Sequence, residues 1–306
     1  MKQSSNVSAQ DISWVKSNKR VLEPIKGISN LYYPESIGEL ENLVRKLEAE
    51  HSPYMLLGWS SNTLFLPSFR MENVVCTRYL KGWTETATHI VCECGVNVSA
   101  LSKEMVRKGY VGFEGLTDLP GTVAAAVYGN CGCRGCSVNA LVDYFTMLLP
   151  SGKTERLTPE DLRLKYRSTS LKRGETRGVI LQVYLKINRG DAGELMKKAE
   201  ANHQVRLKMQ PSPANNLGTT FVLGQPNLFG KVCSRLNRWL RHLAGNDVAS
   251  YARLLKMLGK GRFAPYTYRA ERYMFLDERA HELFPQYVDF VKRMFPDAHL
   301  EIEIRK

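Results

Sequence analysis

The sequence predicts an α+β protein, and three observations point there. Helix-like and strand-like segments follow one another without a regular βαβ rhythm, which separates the chain from the doubly wound class. Of its 306 residues, 43% are hydrophobic and 24% charged, with a mean hydropathy of −0.29. That is the composition of a folded globular chain and not of a disordered, fibrous or disulfide-scaffold one. The length suits two or three domains. No apolar run approaches the roughly 18 residues of a membrane span. The N-terminus has neither a signal-peptide core nor an Arg-rich presequence, so a cytoplasmic location is expected.

The elements follow in order. Residues 1–17 are polar and read as a loose arm. Ser36 and Glu39 form a capping box, and Leu40, Leu43, Val44 and Leu47 give the apolar stripe of a first helix. Strands are predicted at 54–57 and 73–76, then at 89–95, with a helix over 98–108 stopped by Gly109. The glycine-rich stretch 112–136 lacks periodicity and reads as loop. A hairpin of 144–150 and 154–157 follows, then a short helix with Thr158 at N-cap and Pro159 at N1, and a strand over 178–188. Helices at 192–208, 228–244, 248–259 and 284–295, with a linker at 210–218, lead to a terminal strand at 300–305.

Lys and Arg outnumber Asp and Glu by 43 to 30, a net charge of +13 and a pI near 9.4. Such a surface suits nucleic acid, an anionic membrane or phosphorylated small molecules. Seven cysteines without an export signal predict mostly reduced thiols.

Five short segments can carry chemistry. Leu57-Gly58-Trp59-Ser60-Ser61-Asn62 ends a strand in a small-residue turn whose backbone N–H groups can cradle a phosphate, although a plain β-turn answers the same pattern. The segment 115–130, with Pro120-Gly121-Thr122 followed by three alanines, lets backbone approach a flat ligand or a neighbouring helix. Tyr166-Arg167-Ser168 sets a guanidinium between hydroxyls, suited to carboxylate or phosphate, or to an ordinary surface position. Gln210-Pro211 leads to Gly218-Thr219-Thr220-Phe221. In the last segment, period two puts Glu301, Glu303 and Arg305 on one face and Leu300, Ile302 and Ile304 on the other, which makes the acids either solvated or well positioned.

In their order and spacing these segments resemble the UDP-N-acetylenolpyruvoylglucosamine reductases, the MurB family, over about residues 27–224 and 272–305. The resemblance implies a two-subdomain FAD-binding fold of the PCMH/vanillyl-alcohol-oxidase type with a C-terminal α+β substrate domain. Residues 18–78 and 79–190 would be the FAD-binding subdomains and 191–306 the substrate domain. Gly58, Trp59, Ser60, Ser61 and Asn62 would hold the FAD diphosphate. Leu119, Pro120, Gly121, Thr122, Ala125, Ala126 and Asn130 would lie along the isoalloxazine. Tyr166 and Arg167 would face the flavin and the substrate's enolpyruvyl carboxylate. Thr219 stands where the family has its proton-donating serine, and Glu303 would stabilise the developing enolate-like charge with Arg167. The implied activity is FAD-dependent, NADPH-driven reduction of UDP-N-acetylglucosamine-enolpyruvate to UDP-N-acetylmuramate in peptidoglycan precursor synthesis. The expected partner is the nucleotide-sugar; no metal, nucleic acid or membrane span is expected.

Several positions depart from the family pattern. Trp59-Ser60 replace two glycines, Ala124-Ala125 replace a glycine pair, Thr219 replaces serine, and Val222 stands where lysine is common. The family's Gly-Gly-Ala-x-Val segment is missing between 225 and 270. Two basic helices there carry Lys231, Arg235, Arg238, Arg241, Arg253, Lys256, Lys260 and Arg262, with Val232, Leu236, Leu240 and Leu243 expected as a buried stripe. These departures leave two alternatives: a paralogue acting on another nucleotide-sugar for surface polysaccharide, and a flavin-free basic binding protein on the same scaffold. Cys131, Cys133 and Cys136 need a fourth ligand for a tetrahedral metal site, which Cys92 or Cys94, on one face of a strand, could supply. The resemblance makes Cys131 and Cys133 small residues near the flavin, and a redox role for the cluster stays open. His203, His242, His281 and His299 lack metal-ligand spacing and are expected at the surface or at caps.

Overall fold

The computed structural model describes residues 14–15, 21–22, 27–66, 68–210, 218–268, 273–274 and 278–305. The arm expected at 1–17 and the linker at 210–218 lie largely outside the described residues. The chain divides into two units. The first takes Gly27–Ser61 and Met71–Met209, and the second takes Asn62–Arg70 and the chain from Gln210 onward, with the pair Trp14–Val15 and Val21–Leu22.

In the first unit Ile28–Tyr32, Met71–Cys76 and Tyr54–Leu57 form a parallel sheet with Met71–Cys76 in the middle. Parallel strands need a crossover, and the helix Ile37–Ala49 supplies the one between the outer strands Ile28–Tyr32 and Tyr54–Leu57. Its Leu40, Leu43, Val44 and Leu47 stripe is buried as the periodicity predicts. Only half of the expected capping box forms. Ser36 Oγ accepts from the Glu39 N–H at 3.2 Å, but the Glu39 carboxylate accepts from Glu35 N–H at 3.0 Å instead of closing on Ser36.

A five-stranded antiparallel sheet follows, in the order Thr154–Leu157, Val142–Leu148, Val179–Lys186, His89–Glu93, Trp83–Glu85. Helix Val98–Arg107 and helix Ala192–Met209 pack together, and Leu195 joins the same core as Leu101, Met105 and Val183. A second cluster, with Leu40, Val75, Cys94, Leu148 and Val179, joins the two sheets into one unit with two lobes.

The stretch 112–136 is not all loop, as its lack of periodicity suggested. It holds the helix Val123–Tyr128, capped by Thr122, and the small hairpin Gly132–Cys133 with Cys136–Ser137. Three alanines favour the helix, but a run this short carries no readable period.

In the second unit helices Leu228–Ala244, Asp247–Met257 and Glu278–Met294 enclose Tyr251, Phe263, Tyr287 and Phe290, with the Tyr251 and Tyr287 hydroxyls 3.2 Å apart. Half of the stripe expected to be buried on the first of these helices lies on its outside, and Leu236 is only partly buried against the core. Val232 is 55% and Leu243 60% exposed, and only Leu240 of the four is buried, beside Gly230, Cys233 and Asn237. Close docking of the helix start explains the rotation. A Cβ at Gly230 would come within 2.3 Å of Met294 O, and Asn227 Nδ2 donates to Arg293 O at 2.8 Å.

The terminal strand is also two pieces. His299–Leu300 pairs antiparallel with Phe221–Val222, and Glu303–Arg305 pairs parallel with Thr63–Phe65. The chain changes partner at Glu301-Ile302, yet the alternation survives: Leu300, Ile302 and Ile304 all pack on the second unit's core. Among the described residues no helix is long and apolar enough to cross a membrane.

Candidate functional site

Two turns of the first unit face each other. Strand Tyr54–Leu57 runs into Gly58–Ser61, and helix Val123–Tyr128 begins after Leu119–Gly121. A Cβ at Gly58 would meet Thr122 Oγ1 at 2.9 Å, and one at Gly121 would meet Ser61 Oγ at 3.1 Å. Gly121 also has φ +112, a conformation side chains rarely adopt. In the first turn the left-handed residue is Ser60, at φ +47, so Trp59 escapes the strain its size would impose. Thr122 Oγ1 accepts from Ala125 N–H at 3.2 Å, and Gly121 O accepts from Val98 N–H at 3.0 Å, which fixes the second turn.

Beneath the first turn the Cys76 thiol donates to Gly58 O at 3.5 Å. Burial pushes that thiol up to about 11, so it remains a neutral donor at neutral pH. Above it the Arg78 guanidinium lies 5.8 Å from the ring centres of both Trp59 and Tyr79. Trp59 Nε1 is buried with no hydrogen-bond partner among the described residues.

The end of the same helix is tied to the arginine turn. Asn130, at φ +46, donates through Nδ2 to Lys165 O at 2.8 Å and accepts from Asn139 Nδ2 at 3.0 Å. Thr169 Oγ1 donates to Tyr128 O at 2.7 Å. Lys165 and Ser168 exchange backbone hydrogen bonds of 2.9 and 3.1 Å across Tyr166-Arg167. Arg167 itself takes φ +52, with its guanidinium 5.6 Å from the ring centre of Tyr166, which is 72% exposed. Within 119–130, Pro120 and Ala125 are exposed, while the Ala126 methyl faces the core and supports the helix from behind.

Asn62, Thr219 and Glu303 belong to the second unit. Asn62 O accepts from Glu303 N–H at 2.8 Å, and Asn62 Nδ2 donates to Glu301 O at 2.8 Å. Thr220, next to Thr219, accepts through its carbonyl from Glu301 N–H at 3.0 Å. The Glu303 carboxylate lies 3.5 Å from the Arg305 guanidinium.

One support escaped the sequence reading. Asp118 is held by helix Ala192–Met209, with His203 Nδ1 2.9 Å from its carboxylate and Arg206 donating to its carbonyl at 2.6 Å. Asn202 donates to Glu114 O at 3.2 Å. His203 thus braces the loop before Leu119 by hydrogen bonding, and its sequence signal is limited to its i, i+3 spacing to Arg206 on the helix.

The first unit fits a dinucleotide. At Gly58 and Gly121 a Cβ would fill the space where the two turns approach, and the orphaned Trp59 Nε1–H and nearby Arg78 match anionic oxygens.

Comparisons with known proteins agree. The family model described as FAD binding domain matches residues 29–158. UDP-N-acetylenolpyruvoylglucosamine reductase of Geobacillus thermodenitrificans is 26% identical over 191 residues, 62% of this chain and 62% of that protein. The protein of the same name from Synechococcus sp. RCC307 is 27% identical over 221 residues, 71% of this chain and 72% of its own length. The match to the first of these thus spans less than two thirds of its length. The crystal structure of MurB from Thermus caldophilus superposes with a TM-score of 0.64 at 24% identity, covering 91% of this chain and 92% of that one, a likeness of fold. Motif order, the FAD binding domain and the shared α+β architecture agree: the chain resembles the MurB reductases and has a PCMH-type FAD-binding fold.

Proposed function

We propose that this chain is a cytoplasmic flavoprotein oxidoreductase that reduces UDP-N-acetylglucosamine-enolpyruvate to UDP-N-acetylmuramate, with NADPH as electron donor. The observation that carries the reading is the joining, within one unit, of the Gly58–Ser61 turn to Gly121-Thr122 and of Asn130 to the Tyr166-Arg167 turn. The relatives' names supply the substrate and the reaction. On this reading the lobes within 18–78 and 79–190 hold FAD, and 191–306 takes the nucleotide-sugar.

Bound FAD, once reduced by NADPH, would supply the hydride for the enolpyruvyl carbon. The chain's own residues do the rest. Gly58, Ser60 and Ser61 offer backbone and hydroxyl donors to the diphosphate, with Trp59 Nε1 and Arg78 alongside and Asn62 closing the segment. Leu119, Pro120, Gly121, Thr122, Ala125 and Asn130 would hold the ring, with Ala126 supporting the helix from the core. Arg167 binds the substrate carboxylate through its planar fork, held beside Tyr166. Arg167 and Glu303 stabilise the negative charge that grows toward that carboxylate. The Thr219 hydroxyl delivers a proton to the adjacent carbon, and its methyl group narrows the rotamers from which it can do so.

The test is the visible spectrum of the purified protein under anaerobic conditions. Flavin bands bleached by NADPH and restored by the enolpyruvyl sugar are expected. Bands that bleach but are not restored would move the substrate to another nucleotide-sugar. A protein that cannot be loaded with FAD would sink the enzyme reading.

A further inference from the structure

The proposed reaction leaves the Cys-Arg-Gly-Cys hairpin unused. Cys133 and Cys136 are Cα partners directly opposite one another in the antiparallel pair Gly132–Cys133 and Cys136–Ser137. Opposite residues of such a pair point to the same face, with Cα atoms roughly 4.5–5.5 Å apart, inside the span of a disulfide. Between them Arg134 and Gly135 take φ +50 and +79, the successive left-handed residues that a tight two-residue turn requires. Both cysteines are free thiols and half-buried. The hairpin rests on Gly115, where a Cβ would meet Cys133 O at 2.4 Å and Cys136 Sγ at 2.9 Å. Among the described residues no group of three or more His, Cys, Asp or Glu is placed to hold a metal ion.

We propose that Cys133 and Cys136 are a redox-active dithiol that closes to a disulfide by exchange with a low-molecular-weight disulfide such as oxidised glutathione. Cys133 attacks first, because burial holds the Cys136 thiol above its ordinary range and its sulfur is lodged against Gly115. The Cys133 thiolate forms a bond to one sulfur of the incoming disulfide and expels the first small thiolate. The Cys136 thiolate then attacks the Cys133 sulfur and expels the second. Two electrons pass from the pair to the small disulfide, and the two thiol protons end on the two released thiols. Closure braces the stretch between Asn130 and Val138, whose N–H donates to Cys131 O at 3.0 Å. The inference stands apart from the reductase reading, since it needs no flavin.

The experiment uses the full chain, reduced, then equilibrated in mixtures of reduced and oxidised glutathione, quenched with acid, alkylated and digested. In the oxidised mixture the peptide spanning 131–136 is expected to be lighter by two hydrogens and to carry alkyl only on Cys131; reduced glutathione restores three alkylated thiols. Alkylation of all three in the oxidised mixture, or a bond that includes Cys131, overturns the proposal. Cys136→Ser is expected to trap a glutathione adduct on Cys133, and Cys133→Ser to react more slowly. The reverse order of reactivity overturns the assignment of Cys133 as attacker.

Discussion

The turn pair Gly58–Ser61 with Gly121-Thr122, and the helix Leu228–Ala244, are both set by a place where a side chain cannot fit. In the first, Gly58 and Gly121 bring the turns together; in the second, Gly230 brings the helix against Met294. The outcomes differ. Around the turns the neighbouring side chains agree with the backbone, so Trp59-Ser60 can replace two small residues while Ser60 alone carries the left-handed φ. On the helix the close approach overrules the apolar pattern and turns Val232 and Leu243 outward. Each of these contacts joins segments at least 60 positions apart, so a motif survives where its own side chains suit the close approach and is overridden where the approach selects a different face.

The largest test of that contrast is on the helix. Leu240→Ala removes a buried side chain and should cost about 2–5 kcal/mol, while Leu243→Ala should stay within about 0.5 kcal/mol, both read from urea midpoints. Equal losses would restore the sequence-predicted stripe and break the comparison. Next comes Gly121→Val, which forces a branched residue to φ +112 against Ser61 Oγ. A loss of about 1–3 kcal/mol is expected, together with loss of FAD retention on gel filtration. Trp59→Phe keeps an aromatic ring, smaller than the indole, but removes the orphaned N–H. FAD binding, followed by quenching of flavin fluorescence, should weaken roughly tenfold with stability unchanged. An unchanged affinity would mean that the indole only fills space.

The smallest effect is invisible at neutral pH. The Cys76 thiol is held neutral by burial, moved from 9.0 to about 11. Between those values the unfolded chain loses its proton while the native one keeps it, so stability falls as pH rises through that window. The urea midpoint of the wild type should decline there more steeply than that of Cys76→Ala. Parallel declines would show that the thiol under Gly58 does not set the alkaline limit.

How much was legible in the sequence follows the same division. Leu40, Leu43, Val44 and Leu47 form a single stripe on an otherwise polar helix, so pattern and burial coincide. Leu228–Ala244 is apolar over more than one face, and only the docking of Asn227 and Gly230 selects which face is buried. The phosphate-type turn and Tyr166-Arg167 were readable because each is contiguous. The hydrogen bond from Asn130 that joins two of these segments was not, nor was the contact of His203 with Asp118, 85 positions away. The break at Glu301-Ile302 was hidden because alternation continues through it while the strand partner changes.

The passage of the chain between units at Ser61 and Asn62 has a consequence in time. Asn62 donates to the carbonyl of a residue 239 positions later, and Thr63–Phe65 has Glu303–Arg305 as its parallel partner. At ribosomal speeds of about 5–20 residues per second, that partner is made on the order of tens of seconds after Asn62 itself. The turn Gly58–Ser61 can fold early, whereas the residue that follows it must wait for nearly the whole chain. A nascent chain stalled before residue 301 therefore leaves the strand Thr63–Phe65 as an unpaired edge, the feature by which a chaperone would tell an unfinished molecule from a finished one.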